Sequence, residues 1–94
     1  MQPYQIQKLD PEKVDNFEIN IKENGKENVY KLRLCDKIII HRFLDINPTM
    51  DRDVEFKAKD MVKDDLDRLV KMKIIKNTEK YMWFKFDENL YNLI

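Results

Sequence analysis

The stretch Val62-Lys63-Asp64-Asp65-Leu66-Asp67-Arg68-Leu69-Val70-Lys71-Met72-Lys73-Ile74-Ile75 decides how the chain is read. Val62, Leu66, Leu69 and Val70 fall at i, i+4, i+7 and i+8, which is one face of an α-helix. Val54, Ala58 and Met61 extend the pattern upstream, and no glycine or proline interrupts residues 51–72. Thr49 or Asp51 can start this region. Val54-Glu55-Phe56-Lys57-Ala58 also alternates, so two readings stay open: one long helix, or two short ones with a tight turn near residues 57–60.

Downstream, Lys76-Asn77-Thr78-Glu79-Lys80 reads as a turn and Tyr81-Met82-Trp83-Phe84-Lys85-Phe86 as an aromatic-rich strand. Either Tyr81 with Trp83, or Met82 with Phe84 and Phe86, faces the core. The second set is more apolar, so Trp83 is expected to be partly exposed or, the favoured reading, packed on an N-terminal hairpin. Upstream, Asp36 can cap a helix through Lys37-Ile38-Ile39-Ile40-His41-Arg42-Phe43-Leu44, with Ile39, Phe43 and Ile46 on one stripe widened by Ile40 and Leu44. The three isoleucines also permit a strand. Asn47-Pro48-Thr49 ends the helix, because proline pushes the preceding residue out of the α region.

Further upstream, Phe17, Ile19 and Ile21 alternate with polar residues, Asn24-Gly25 is a hairpin turn signal, and Val29, Lys31 and Arg33 alternate with Tyr30, Leu32 and Leu34. An antiparallel hairpin is predicted over residues 16–34. Residues 1–15 form an N-terminal arm, in which Asp10-Pro11-Glu12-Lys13 either opens one helical turn or stays loosely attached. Leu90, Tyr91, Leu93 and Ile94 make the closing segment 87–94 apolar. A monomer must fold it back onto the core; a homodimer could use it as an interface.

The chain has 94 residues, with 18 Lys+Arg against 18 Asp+Glu, so a single domain without net charge is expected. Neutrality excludes a globally basic nucleic-acid glue and leaves only local patches for a charged partner. The longest aliphatic run is Ile38-Ile39-Ile40, far short of a membrane span. Met1-Gln2-Pro3-Tyr4-Gln5 has no basic-then-apolar signal pattern, and the single Cys35 excludes an internal disulfide, so a reducing cytoplasm is the expected location. One glycine in the whole chain excludes a Gly-rich phosphate loop. The scarcity of glycine and the many Lys, Ile, Asn and Asp would suit an AT-rich bacterial, phage or viral gene.

Residues 58–75 resemble the third helix and first wing strand of winged helix-turn-helix proteins, with Leu66-x-x-Leu69, a short polar linker and Ile74-Ile75 before the wing. The helix ending at Asn47-Pro48-Thr49 resembles their first helix, and the likeness covers residues 36–86. It implies an α+β winged-helix-like domain over residues 16–94 in the order β-β-α-α-α-β-β, with a helical core at 36–72, a two-stranded wing at 74–86 and the N-terminal hairpin as an addition. Two features depart from the pattern. Lys73 stands where a glycine or other small residue usually precedes the wing, and residues 49–56 offer only Met50, Val54 and Phe56 for a second helix.

The resemblance makes residues 60–71 the recognition helix of a DNA-binding regulator of transcription. Between Lys57 and Lys85 nine basic residues face five acidic ones, so this part carries +4 and the remainder −4. The candidate contacts to double-stranded DNA are Lys57, Lys59, Lys63, Arg68, Lys71, Lys76 and Lys80. Asp60, Asp64 and Asp67 on the same helix oppose phosphate. They define the alternative, a protein-protein interaction module such as a small phage- or virus-type inhibitor of a host protein, with Asp60, Asp64, Asp67 and Trp83 as contacts. Asp64 with Arg68 and Asp67 with Lys71 have the spacing of intrahelical ion pairs.

No enzyme, metal or cofactor is expected. His41 reads as a helix-surface residue that does not share a face with Cys35. Asp51-x-Asp53-x-Glu55 lacks the glycine and the later glutamate of a calcium loop and reads instead as an acid-rich helix start.

Overall fold

The computed structural model describes residues 8–94; of the N-terminal arm expected at 1–15, residues 1–7 lie outside the described part. Asp10 accepts from the Glu12 N–H at 2.9 Å and opens α1 (Pro11–Asp15), with the proline at the helix start where its missing N–H costs nothing. This turn is docked, since Val14 is buried and Asp10 N–H donates to the Leu93 carbonyl at 2.7 Å.

The hairpin forms as β1 (Glu18–Glu23) and β2 (Lys26–Lys31), paired in register from Glu18↔Lys31 to Glu23↔Lys26. Asn24 at φ 50° and Gly25 at φ 79° form the two-residue turn with both central residues left-handed. Ile19, Ile21 and Tyr30 turn one face toward the core, while Val29 is exposed.

The next helix, α2 (Leu34–Ile46), starts earlier than expected. Asp36 is therefore not its N-cap. It occupies the third helical position and reaches back to the Arg33 N–H at 2.8 Å. Ile39, Ile40, Phe43 and Leu44 are buried, whereas Ile46 is exposed. The helix stops at Asn47, as the Asn-Pro signal requires.

No helix follows at residues 49–56. Asn47 holds both ends of a turn by donating to the Asp51 carbonyl (2.9 Å) and accepting from the Asp51 N–H (3.3 Å). Asp51 in turn accepts from the Asp53 N–H at 2.8 Å, so this carboxylate closes a turn and starts no helix. The alternation at residues 54–58 prevails as β3 (Phe56–Lys57). One long helix and two short ones are thus both corrected: residues 51–72 hold a strand, then a single helix, α3 (Lys63–Lys71). Val62, expected inward, is the exposed N-cap of α3, while Leu66 and Leu69 are fully buried.

Lys73 explains the missing glycine. Its φ is 58°, its N–H donates to the Val70 carbonyl and the Ile74 N–H to the Leu69 carbonyl, both at 3.0 Å. This is the left-handed helix terminus in which glycine normally sits, closed by the buried pair Leu69 and Ile74. The chain turns there into β4 (Ile75–Asn77), which pairs antiparallel with β5 (Trp83–Phe86). β3 joins the opposite edge of β5, giving the sheet order β3-β5-β4. The last element, α4 (Glu88–Tyr91), is capped by Asp87 and folds back, with Leu90 and Leu93 buried. Its Asn89 side chain donates to the Met72 carbonyl at 2.8 Å and the Tyr91 hydroxyl to the Met50 carbonyl at 2.8 Å.

The protein is thus an α+β domain with four helices and two small antiparallel sheets, ordered α-β-β-α-β-α-β-β-α among the described residues. Phe56 is the centre of the core, its ring centroid 4.5 Å from that of Phe43 on α2 and 4.8 Å from that of Phe86 on β5. Among the described residues, no helix is long and apolar enough to cross a membrane.

Candidate nucleic-acid interface

The alternation of β5 settles which aromatics face inward. Phe84 and Phe86 are buried with Phe56 and Ile75, so Trp83 and Lys85 project from the opposite face of the sheet. Register brings their neighbours to the same face. Lys57 pairs with Trp83, and Lys76 pairs with Lys85. Lys80, in the loop between β4 and β5, places its ammonium 5.0 Å from the centroid of the Trp83 ring. Lys76, Lys80 and Lys85 line an open groove together with Glu55 and Glu79.

Lys76 and Lys85 are like charges directly opposite one another, an arrangement that destabilises a strand pair. Among the described residues, none of Lys57, Lys76, Lys80 and Lys85 has a carboxylate at ion-pair distance. The loop that presents Lys80 is tied down by Thr78, whose hydroxyl accepts from the Lys80 N–H at 3.1 Å and donates to the Trp83 carbonyl at 3.0 Å.

The helix α3 is a different surface. Arg68 was expected to pair with Asp64 and Lys71 with Asp67; neither pair forms. Arg68 turns inward, with Nε 3.3 Å from Asp36 Oδ2 and a bond of 2.5 Å to the Lys31 carbonyl, and its guanidinium lies over the Tyr30 ring. Lys71 crosses to the hairpin, 3.2 Å from Glu23, and Asp67 pairs with Lys63 at 3.1 Å. Asp36 is the hub. It is fully buried and also takes two bonds from the Arg33 side chain, at 3.0 and 3.2 Å. Burial pushes the Asp36 carboxyl up, yet the guanidiniums outweigh it and hold the group below the ordinary carboxylate range. The Tyr30 hydroxyl and Lys71 likewise lower Glu23, and Glu23 raises Tyr30. The partner carboxylates Asp67 and Glu23 raise Lys63 and Lys71.

Of the candidate DNA contacts, the fold therefore brings Lys57, Lys76 and Lys80 together and adds Lys85. Lys59 lies away from the sheet lysines Lys76, Lys80 and Lys85, in a groove that it shares with Lys57, Arg42, Asp60 and Met61. Lys63 is paired with a carboxylate, Arg68 turns inward, and the exposed Lys71 is paired with Glu23 of the hairpin. Of the alternative contacts, Asp60 and Asp64 are exposed, while Asp67 is tied to Lys63 and Trp83 lies on the sheet. Lys85 could have been found from sequence, since it alternates with Phe84 and Phe86 on the strand that carries Trp83. Among the described residues, no group of three His, Cys, Asp or Glu side chains could hold a metal ion. Comparison with protein-family models, curated proteins and solved structures finds no match to this chain.

Proposed function

We propose that this is a non-enzymatic DNA-binding module, acting as a regulator, that grips phosphate with the outer face of the β3-β5-β4 sheet rather than with its helix. The observation that carries this reading is the Lys76–Lys85 cross-strand pair, flanked by Lys57 and Lys80. Four ammonium groups gathered without ion-paired carboxylates are a site that an anionic backbone would stabilise.

The frame behind it supports a reduced winged-helix reading. β3 lies between α2 and α3 in the chain, β4 and β5 form the wing, and β3 pairs with the returning wing strand. No helix stands between β3 and α3, where residues 58–62 are irregular with a bend at Asp60. In this reduced form α3 is a support, because Asp64 stands exposed on it, Asp60 stands exposed just before it, and Arg68 and Lys71 are turned toward the hairpin.

The test is a mobility shift on mixed-sequence and AT-rich DNA across a salt series. Binding should weaken steeply with salt, and Lys76→Gln with Lys85→Gln should lower the log–log slope by about two. Asp64→Asn with Asp67→Asn should tighten binding, the second change also releasing Lys63. If those aspartates instead meet the Lys or Arg of a protein partner, the same double variant would weaken that complex. The protein-binding reading has one independent support, the stripe of Leu34, Ile38 and Ile46 exposed on α2.

A further inference from the structure

Building on the phosphate-gripping reading, we infer that the strand bound on this sheet is unpaired, and that Trp83 is the platform on which one of its bases stacks. The juxtaposition is specific. A tryptophan stands on the outer face of a three-stranded sheet, Lys57 beside it on β3, Lys85 two residues along its own strand, and Lys76 across on β4. The sheet is narrow, about 10 Å from the first strand to the third at the usual strand spacing. A basic surface with an aromatic ring in its middle is the arrangement that holds single strands, where phosphates run along the lysines and a base lies on the ring.

Three observations favour an unpaired strand over a duplex. First, the ring face is reachable: the ammonium of the exposed Lys80 already occupies the space above it. A base entering from solvent displaces that ammonium to the phosphate and replaces a cation–π contact by a stack. Second, the indole N–H makes no hydrogen bond among the described residues, so it is free to meet an acceptor on the ligand. Third, duplex recognition on the winged-helix pattern puts a helix in the major groove, and α3 presents the exposed Asp64 there, with the exposed Asp60 just ahead of it. The second groove, between α3 and the wing loop, sets Lys63 and Lys80 against Asp67 and Glu79, so its charges balance and it attracts phosphate less than the sheet does. A strand is thereby confined to the sheet side of the loop. Glu55 and Glu79 in the groove on that side leave its three lysines, Lys76, Lys80 and Lys85, with a surplus of one positive charge.

Trp83 is the only tryptophan in the chain, so its emission reports on this site alone. The full-length protein is titrated at low salt with fluorescently labelled twelve-residue oligo-dT, oligo-rU and a twelve-base-pair duplex, following strand anisotropy and Trp83 emission together. The expected result is quenching of Trp83 by a single strand, with affinity at least several-fold above that for the duplex; the relative strength of the dT and rU arms names the sugar. Trp83→Leu should lose about tenfold in affinity by anisotropy, the effect of one stacked base, and Trp83→Phe should recover most of it. Equal or tighter duplex binding, or strand binding that leaves Trp83 emission unchanged, overturns the stacking inference and leaves the phosphate grip standing. Absence of anisotropy change with all three probes overturns both.

Discussion

Among the described residues, two clusters of positive charge built from similar residue types are satisfied in opposite ways. At the junction of hairpin, α2 and α3, each of three cations, Arg33, Arg68 and Lys71, has a carboxylate within 3.3 Å, and Asp36 among them is fully buried. On the outer face of the sheet, Lys57, Lys76 and Lys80 stand in solvent and Lys85 is half-buried, directly opposite Lys76. Net charge does not separate the two clusters; the reach of a carboxylate does. A cation paired with a buried carboxylate can be removed only at the expense of stability, whereas a crowded, unpaired one lowers stability, a cost that on the proposed reading a bound phosphate would offset.

The largest test of that contrast is Asp36→Ala. It leaves Arg68 facing a cavity and Arg33 without its main partner, and breaking such a buried pair from one side costs about 3–5 kcal/mol. Chemical denaturation should show that loss, and the hairpin amides should lose hydrogen-exchange protection first, since Arg68 also holds the Lys31 carbonyl. A loss below about 1 kcal/mol would place the junction in the same class as the sheet.

Acid should separate the regions next. Asp36 titrates below the ordinary carboxylate range in the folded protein, so its contribution is present above the unfolded value of about 3.9 and is lost as pH falls through the folded value. Unfolding free energy should therefore drop below about pH 4. In Asp36→Asn that part of the decline should disappear.

How much of this is legible in sequence follows from the range of each interaction. The hairpin turn, the helix stop at Asn47-Pro48 and the buried Leu66 and Leu69 depend on neighbours within a few residues, and local pattern shows them. β3 is only half legible: residues 54–58 alternate, but that pattern competes with a helical one there, and the strand is decided by β5 returning to pair with Phe56 and Lys57. The ion pairs fail for the same reason. Asp64 with Arg68 has ideal intrahelical spacing, but Asp36, thirty-two positions away, offers Arg68 a buried partner and wins. Alternation leaves Trp83 either partly exposed or, as favoured, packed on the hairpin; the structure has it half-buried on the outer face of the sheet, beside Lys57 and Lys80. Spacing could not place those lysines, because they arrive from another strand and from the β4–β5 loop.

Lys73 sharpens the comparison from between the two regions, where α3 turns into the sheet. Its left-handed φ of 58° strains any side chain with a Cβ. Its ammonium lies 3.7 Å from Glu88, and both groups are more than half exposed, so that pair contributes little. Lys73→Gly should therefore raise stability by roughly 0.5–1 kcal/mol, read as a higher thermal midpoint, with DNA binding unchanged. Weakened binding in this variant would extend the functional patch to the end of α3.

The smallest effect is the most discriminating, because its sign differs between stability and binding. Lys76 opposes Lys85 across β4 and β5, and like charges in that position destabilise a strand pair where opposite charges help it. Lys76→Glu converts repulsion to attraction without touching the core, since Lys76 is exposed and the neighbouring Ile75 stays buried. The variant should be more stable than the parent by about 0.2–1 kcal/mol. It should bind nucleic acid far more weakly, because the patch loses one positive charge and gains a negative one against phosphate. A residue with a structural role loses both properties together when replaced; one kept for a ligand loses binding while the fold improves. Should Lys76→Glu lower the thermal midpoint, the crowding of Lys76 and Lys85 is stabilised inside the protein, and the sheet belongs with the junction as structural charge.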